Sequence, residues 1–409
     1  MSLVIKAIKL ASSSFAIQAL TILVSPIIAR IYGPQILGEF SYIQSLAVLL
    51  VPLVGLSLHY KLYSVRDHLD RDIVTGIFFG LIMRSSLICL LAFLINLFFK
   101  NQIITIITIV FAWSILTASY EFSIVSANVR AYFDLGVLAA LSLFCVTAIL
   151  KIFGSYVSKD IDMLIGAQLV GFLVAISLIN IRLILLGSKR FHLVEALNLV
   201  LKPNLSYLRG LKEFWWKKSG QLVLSRLGLV MPLLAITAQS GASYAGYYAI
   251  SRALVMMPAG SIGKAATDVL SVYSRNESGD LIDLIGVTVK LFCVGIIPLL
   301  FAFMFGGDLL ALLLGEKWSG IDWYVAPMSI WGFGVYLSGV SLASFNREGR
   351  HQAIFYFEQL HFFLRLVIVA LFLAQVFDLE SFVWGFALSG CSINLLIVWY
   401  VLINGKSDA

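Results

Sequence analysis

Six cations lie in or at the ends of stretches that are otherwise almost wholly apolar. Arg84 stands near the middle of "IVTGIFFGLIMRSSLICLLAFLINLFF" (73–99), Arg226, Arg252, Lys290 and Arg365 fall inside similar runs, and Arg30 closes another. Placing one arginine at the centre of a membrane-spanning helix costs about 2.5–3.5 kcal/mol on insertion scales, so such residues normally face a partner or a hydrated cavity. The acids inside these runs are few, Glu121 and Glu358, so the cations outnumber them. An anionic ligand would satisfy the surplus. Arginine suits phosphate because its planar fork donates two parallel hydrogen bonds. Gln18, three residues before Thr21 on one helical face, adds an uncharged polar group to the set.

Each of these residues also has a purely structural reading. Arg84 could pair with Glu121 on the next apolar stretch, and Arg365 with Glu358 or with backbone carbonyls. Arg226 and Lys290 lie near the ends of their runs and could snorkel. Arg30 could anchor at an interface, and Gln18 could hydrogen-bond between helices. Arg252 sits deeper, in a segment that recurs in the chain.

Catalytic chemistry is absent from the motifs. No G-x-x-x-x-G-K-[ST] is present to cradle ATP, and no HExxH, GxSxG or metal-ligand cluster occurs. The five histidines are scattered singly, and the four cysteines, Cys89, Cys145, Cys293 and Cys391, each lie within an apolar run without CxxC spacing. We expect no catalytic residue, no metal and no cofactor, and an energy source other than ATP: a H+ or Na+ gradient, the membrane potential, or the substrate's own gradient.

Composition explains the setting of the cations. The chain has 409 residues, 60% hydrophobic and 12% charged, against about 25% charged in a soluble domain. This is an all-α integral membrane protein. A spanning helix needs about 20 apolar residues, which gives twelve predicted spans, at 10–31, 38–58, 73–98, 103–125, 135–155, 162–186, 220–238, 244–265, 283–305, 322–344, 354–376 and 380–402. The opening shows no signal-peptide pattern, so the first run is expected to remain as a helix. With both termini in the cytoplasm, 19 Lys and Arg fall in cytoplasmic segments and five in outer ones, the other five of the 29 lying within spans. The positive-inside rule favours that orientation. The net charge of +7 therefore reflects topology and does not call for nucleic acid.

A long basic connection at 187–219 separates an N-terminal six-helix lobe (1–186) from a C-terminal one (220–409). Its apolar stretches read as interfacial helices, with Trp215 and Trp216 at headgroup level. Across it the sequence repeats. "GEFSYIQSL" (38–46) matches "GYYAISRAL" (246–254) at an offset of 208, Pro52 and Pro258 follow, and Arg84 and Lys290 are 206 apart. Six spans per repeat return the chain to the side it started from. The repeats are thus parallel, two lobes around a central cavity, an arrangement suited to alternating access.

The stretch "ARIYGPQILGEFSYIQSLAVLLVPLVGLSL" (29–58) resembles the first loop and second span of bacterial polysaccharide-repeat-unit flippases of the Wzx type. These belong to the multidrug/oligosaccharidyl-lipid/polysaccharide exporter superfamily. Ala29, Arg30, Gly33, Pro34, Gly38, Gly55 and Leu56 carry the match, and "GYYAISRALVMMPAGSIGKAATDVLSVYSR" is similar to the eighth-span segment, with Val272–Tyr273 where a proline is often found. The resemblance implies that undecaprenyl-pyrophosphate-linked oligosaccharide moves between leaflets of the bacterial inner membrane through a cationic cavity. It places Arg30, Arg226 and Arg252 on cavity-lining spans, with Arg84, Lys290 and Arg365 as further candidates on other spans. A polysaccharide polymerase and chain-length proteins would be its partners. The alternatives are a drug/ion antiporter of the same superfamily, which would favour buried acids, and a membrane polysaccharide polymerase, which would want a large outer loop.

Overall fold

A computed structural model describes residues 3–64, 68–99, 101–130, 132–186, 212–256, 258–259, 284–347 and 351–404. Within them the chain is helical almost throughout. The helices are α1 (Leu3–Val54), α2 (Leu58–Ser64), α3 (His68–Phe99), α4 (Gln102–Val129), α5 (Phe133–Gly154), α6 (Ile161–Leu185), α7 (Lys212–Ser240), α8 (Ala242–Ser251), α9 (Leu284–Leu314), α10 (Asp322–Arg347), α11 (His351–Leu373) and α12 (Leu379–Asn404). Nine helices among the described residues are long and apolar enough to cross a membrane. Bands of exposed side chains such as Leu87, Ile88 and Leu91 on α3 and Ile297 and Met304 on α9 give these helices lipid-compatible faces.

The described residues of the twelve predicted spans are helical except at the ends of some, with two differences of detail. α7 begins at Lys212, eight residues before the predicted span, so Trp215 and Trp216 belong to this helix and not to a separate interfacial one. Span eight starts as α8 and continues as a π-helical segment, Arg252–Met256; most of its predicted remainder, and residues 187–211 of the basic connection, lie outside the described residues.

Spans one and two share α1, which bends at Gly33 (φ 76°, ψ 173°). Gly241, between α7 and α8, adopts almost the same angles (φ 99°, ψ 170°). This region is open essentially to glycine alone. The two glycines are separated by 208 residues, the offset of the sequence repeat. The recurrence continues in the packing. A Cβ on Gly38 would meet the Ala242 carbonyl oxygen at 1.7 Å, and one on Gly246 would meet the Pro34 carbonyl oxygen at 2.0 Å. Each glycine thus lies against the residue four before its own counterpart, the reciprocal contact that a two-fold repeat requires.

Two compact units form. One comprises Ile43–Gly154 and Asp162–Val230; the other comprises Met1–Tyr42, Ser155–Ile161 and Met231–Ala409. In the first, Val51, Val54, Leu58, Val74, Phe78 and Phe122 make a core between α1, α2, α3 and α4, with the Phe78 and Phe122 rings stacked at 3.8 Å. Ala127, Ala139, Ala175 and Ile179 join α4, α5 and α6. In the second unit α10 runs against α9 and α12. Without a hydrophobic drive between helices in lipid, small residues and polar links hold such contacts. A Cβ at Gly334 would come within 2.9 Å of the Cys391 Cα, and Ser338 bonds Asn394 at 2.6 Å.

Candidate functional site

Arg226 on α7 is held by two elements of the first unit, α4 and α1. Its Nη2 donates to Glu121 Oε1 on α4 at 2.9 Å and to Oε2 at 3.3 Å, and its Nη1 donates to the Val48 carbonyl of α1 at 2.9 Å. The imidazole of His59, on α2, stands 3.6 Å from the same carboxylate. Side-chain exposure is 17% for Arg226, 30% for Glu121 and 6% for His59, so this is a largely desolvated cluster with a water-reachable carboxylate.

Backbone strain places His59 there. Leu56 and Ser57 have φ of 46° and 53°. Non-glycine residues in this region cost of order 1–3 kcal/mol each and persist only where the surroundings enforce them. The turn separates α1 from α2. Its buried Ser57 accepts a hydrogen bond from Ser219 of α7 at 3.0 Å. α7 is thereby pinned to the first unit at two points, Ser219 and Arg226.

A second setting lies in the other unit. Arg365 on α11 is buried, 4% exposed, with its guanidinium carbon 4.9 Å from the Trp331 ring centre and 4.7 Å from that of Phe386. The rings meet edge to face. Gly390 makes the space, since a Cβ there would come within 2.5 Å of the Trp331 Nε1. Desolvated cation–π contacts are worth about 2 kcal/mol or more. Arg252 and Tyr248 lie within electrostatic range of Arg365, and His361 stands one turn before it on α11. Arg252 opens the π-helical segment, a geometry common at functional sites. Among the described residues, Arg252 and Arg365 are two predicted cations whose charges act on one another.

The remaining residues are dispersed. Arg30 donates through Nε to the Leu313 carbonyl and through Nη2 to that of Leu312 at 2.9 Å. Both acceptors belong to the last turn of α9, whose carbonyls have no helical partner. Trp318 Nε1 returns a hydrogen bond to the Ala29 carbonyl at 3.1 Å. Arg84 and Lys290 are exposed, and Gln18 is half-buried near Thr21, whose hydroxyl bonds its own helix at Ile17. An apolar cavity of about 460 Å³ opens between α1, the π-helical segment, α9 and α10. Pro26, Pro258 and Pro298 line it, and Leu313, whose carbonyl Arg30 holds, is part of its wall. His59 was not marked by the sequence, and its only local signal is the "GLS" turn before it.

No protein-family model matches the sequence, and no curated protein does. Solved structures do match in fold. One is an outward-facing multidrug resistance MATE family transporter of the MOP superfamily, with TM-score 0.63 and 13% identity over 98% of this chain and 95% of that one. An inward-facing structure of such a transporter gives TM-score 0.58 and 12% identity over 100% and 97%. A MOP superfamily transporter from Pyrococcus furiosus, whose binding pocket is described as reversed in polarity and suggestive of a different function, gives 0.59 and 12% over 98% and 95%. Along nearly its whole length, this chain has the two-repeat membrane fold of MATE transporters of the MOP superfamily.

Proposed function

We propose that this chain is a transporter that flips an undecaprenyl-pyrophosphate-linked oligosaccharide from the cytoplasmic to the periplasmic leaflet of the bacterial inner membrane by alternating access. The observation that carries the reading is Arg365, a buried guanidinium packed against Trp331 and Phe386 with the charge of Arg252 acting on it in the same unit, where a pyrophosphate would supply opposite charge. The apolar cavity beside Arg30 supports an amphiphile, because a hydrocarbon chain there would lie next to a guanidinium. The structural relatives support membrane transport through their fold.

The test is deletion of the gene in its own host, with lipid-linked intermediates and surface polysaccharide assayed together. Single repeat units trapped on the cytoplasmic side with surface polymer lost is the expected result. Normal surface polymer would sink the reading in favour of drug/ion antiport, which the multidrug transporters among the relatives favour. Single units trapped on the periplasmic side would indicate a polymerase. Complementation resolves the site: Arg252→Ala should abolish flipping at normal abundance and Arg252→Lys should restore it in part, because lysine loses the bidentate geometry.

A further inference from the structure

We propose that Glu121 is a proton-binding site whose protonation releases Arg226 to an anionic ligand. This deepens the transporter reading and rests on it, but its principal test requires no substrate.

The carboxylate has two partners of different kinds. Arg226 brings a guanidinium, a fixed cation, whereas His59 brings an imidazole, which exists in neutral and cationic forms. Four helices converge here: α4 brings Glu121, α7 brings Arg226, α2 brings His59 and α1 brings the Val48 carbonyl. Among the described residues, the charged or titratable groups facing Glu121 are Arg226, His59 and the adjacent Tyr120.

The exchange balances. One proton arrives on Glu121 Oε2, the oxygen that faces the His59 imidazole. The carboxyl becomes neutral, and its charge-assisted bond to Arg226 weakens to an ordinary one. Arg226 keeps the Val48 carbonyl through Nη1, while the Nη2 side is left to take a phosphate oxygen. One guanidinium edge cannot serve both Glu121 and a phosphate at full strength. Proton binding and anion binding therefore favour each other, and by linkage each raises the other's affinity by the same factor. The same event loosens one of the two points that pin α7 to α1, α2 and α4, with the Ser219–Ser57 bond left as the other. Proton uptake is thereby tied to both a charge and a helix contact, as a coupling site demands.

The experiment is infrared difference spectroscopy of the full protein in lipid, stepping the pH from alkaline to acid. Wild type should show a protonated-carboxyl stretch that Glu121→Gln lacks and Glu121→Asp retains. Arg226→Gln should show it at a pH about 1–3 units higher, because the neighbouring cation is gone. Superimposable wild-type and Glu121→Gln spectra, or an Arg226→Gln protein that titrates like wild type, would overturn the proposal. Inorganic pyrophosphate then tests the release. Binding at least tenfold tighter at acid than at alkaline pH in wild type, and independent of pH in Glu121→Gln, is expected; equal affinity at both pH values in wild type would overturn it. If pyrophosphate does not bind at any pH while the infrared band behaves as expected, the proton site stands and both the anion release and the anionic substrate fall.

Discussion

The two halves of the sequence share their backbone devices and differ in how they hold charge. Gly33 and Gly241 bend the chain with nearly the same angles, and Gly38 and Gly246 make reciprocal contacts. Six residues past each of these close-packed glycines the halves differ in charge: Gln44 stands in the first half and Arg252 in the second, where the helix widens into a π segment. The two compact units, which do not coincide with the halves of the sequence, also hold charge differently. Arg226 is neutralised by a carboxylate in one, whereas in the other Arg365 packs against two aromatic rings within electrostatic range of Arg252. A repeat fixes where helices bend and touch, because those constraints fall on the backbone. Charge sits on side chains, which can diverge without disturbing the bends.

The comparison can be broken from either side. The largest effect is expected from Arg365→Ala, which empties the space against the Trp331 and Phe386 rings and removes both ring contacts; about 3–5 kcal/mol should be lost. A fall in the detergent unfolding temperature and in abundance would show it. Arg365→Met should restore abundance by filling the space, and flipping that also recovers would remove the Arg365 charge from the mechanism. Next, Gly38→Ala and Gly246→Ala each force a methyl onto a carbonyl and should cost about 1–3 kcal/mol by overpacking. If the contact is reciprocal, the two variants should destabilise by similar amounts; a large asymmetry in unfolding temperature would undo the symmetry argument.

A smaller loss, roughly 1–3 kcal/mol, is expected for Glu121→Gln, which leaves Arg226 with only part of its bonding. Adding Arg226→Gln should recover some of it in a double-mutant cycle, and strict additivity would mean the pair is not coupled. The smallest effect belongs to Asp378, which caps α12 through Ser381 N–H at 2.8 Å. Its hydrogen bonds to the Ser381 side chain and backbone hold the carboxyl below its ordinary value of 3.8. A lowered value stabilises the fold above that ordinary value, and the contribution is lost as the pH falls through the folded one. Asp378→Ala should therefore lower the unfolding temperature slightly at neutral pH and leave it unchanged in strong acid.

The spans were legible because apolar length is written locally, and so was the repeat, through glycines that no other residue replaces. Partners were not. Glu121 invites Arg84 from the neighbouring span, but it is met by Arg226, which lies 105 residues away. Arg30 bonds two backbone carbonyls, and a carbonyl leaves no mark on sequence, since every residue carries one. Arg365 was visible as a buried cation, but the rings that hold it come from α10 and α12. The early start of α7 escaped for a different reason. Lys212, Lys217 and Lys218 dilute its first turns below any hydropathy threshold while leaving helix propensity intact.

The mutual fit of Gly38 and Gly246 carries a mechanical meaning. Interlocked side chains resist rotation, because each must change rotamer before its neighbour can pass. Here backbone lies on backbone, with no side chain to catch at the point of closest approach. Such a joint behaves as a bearing: it sets how near two helices come while offering little friction to one turning over the other.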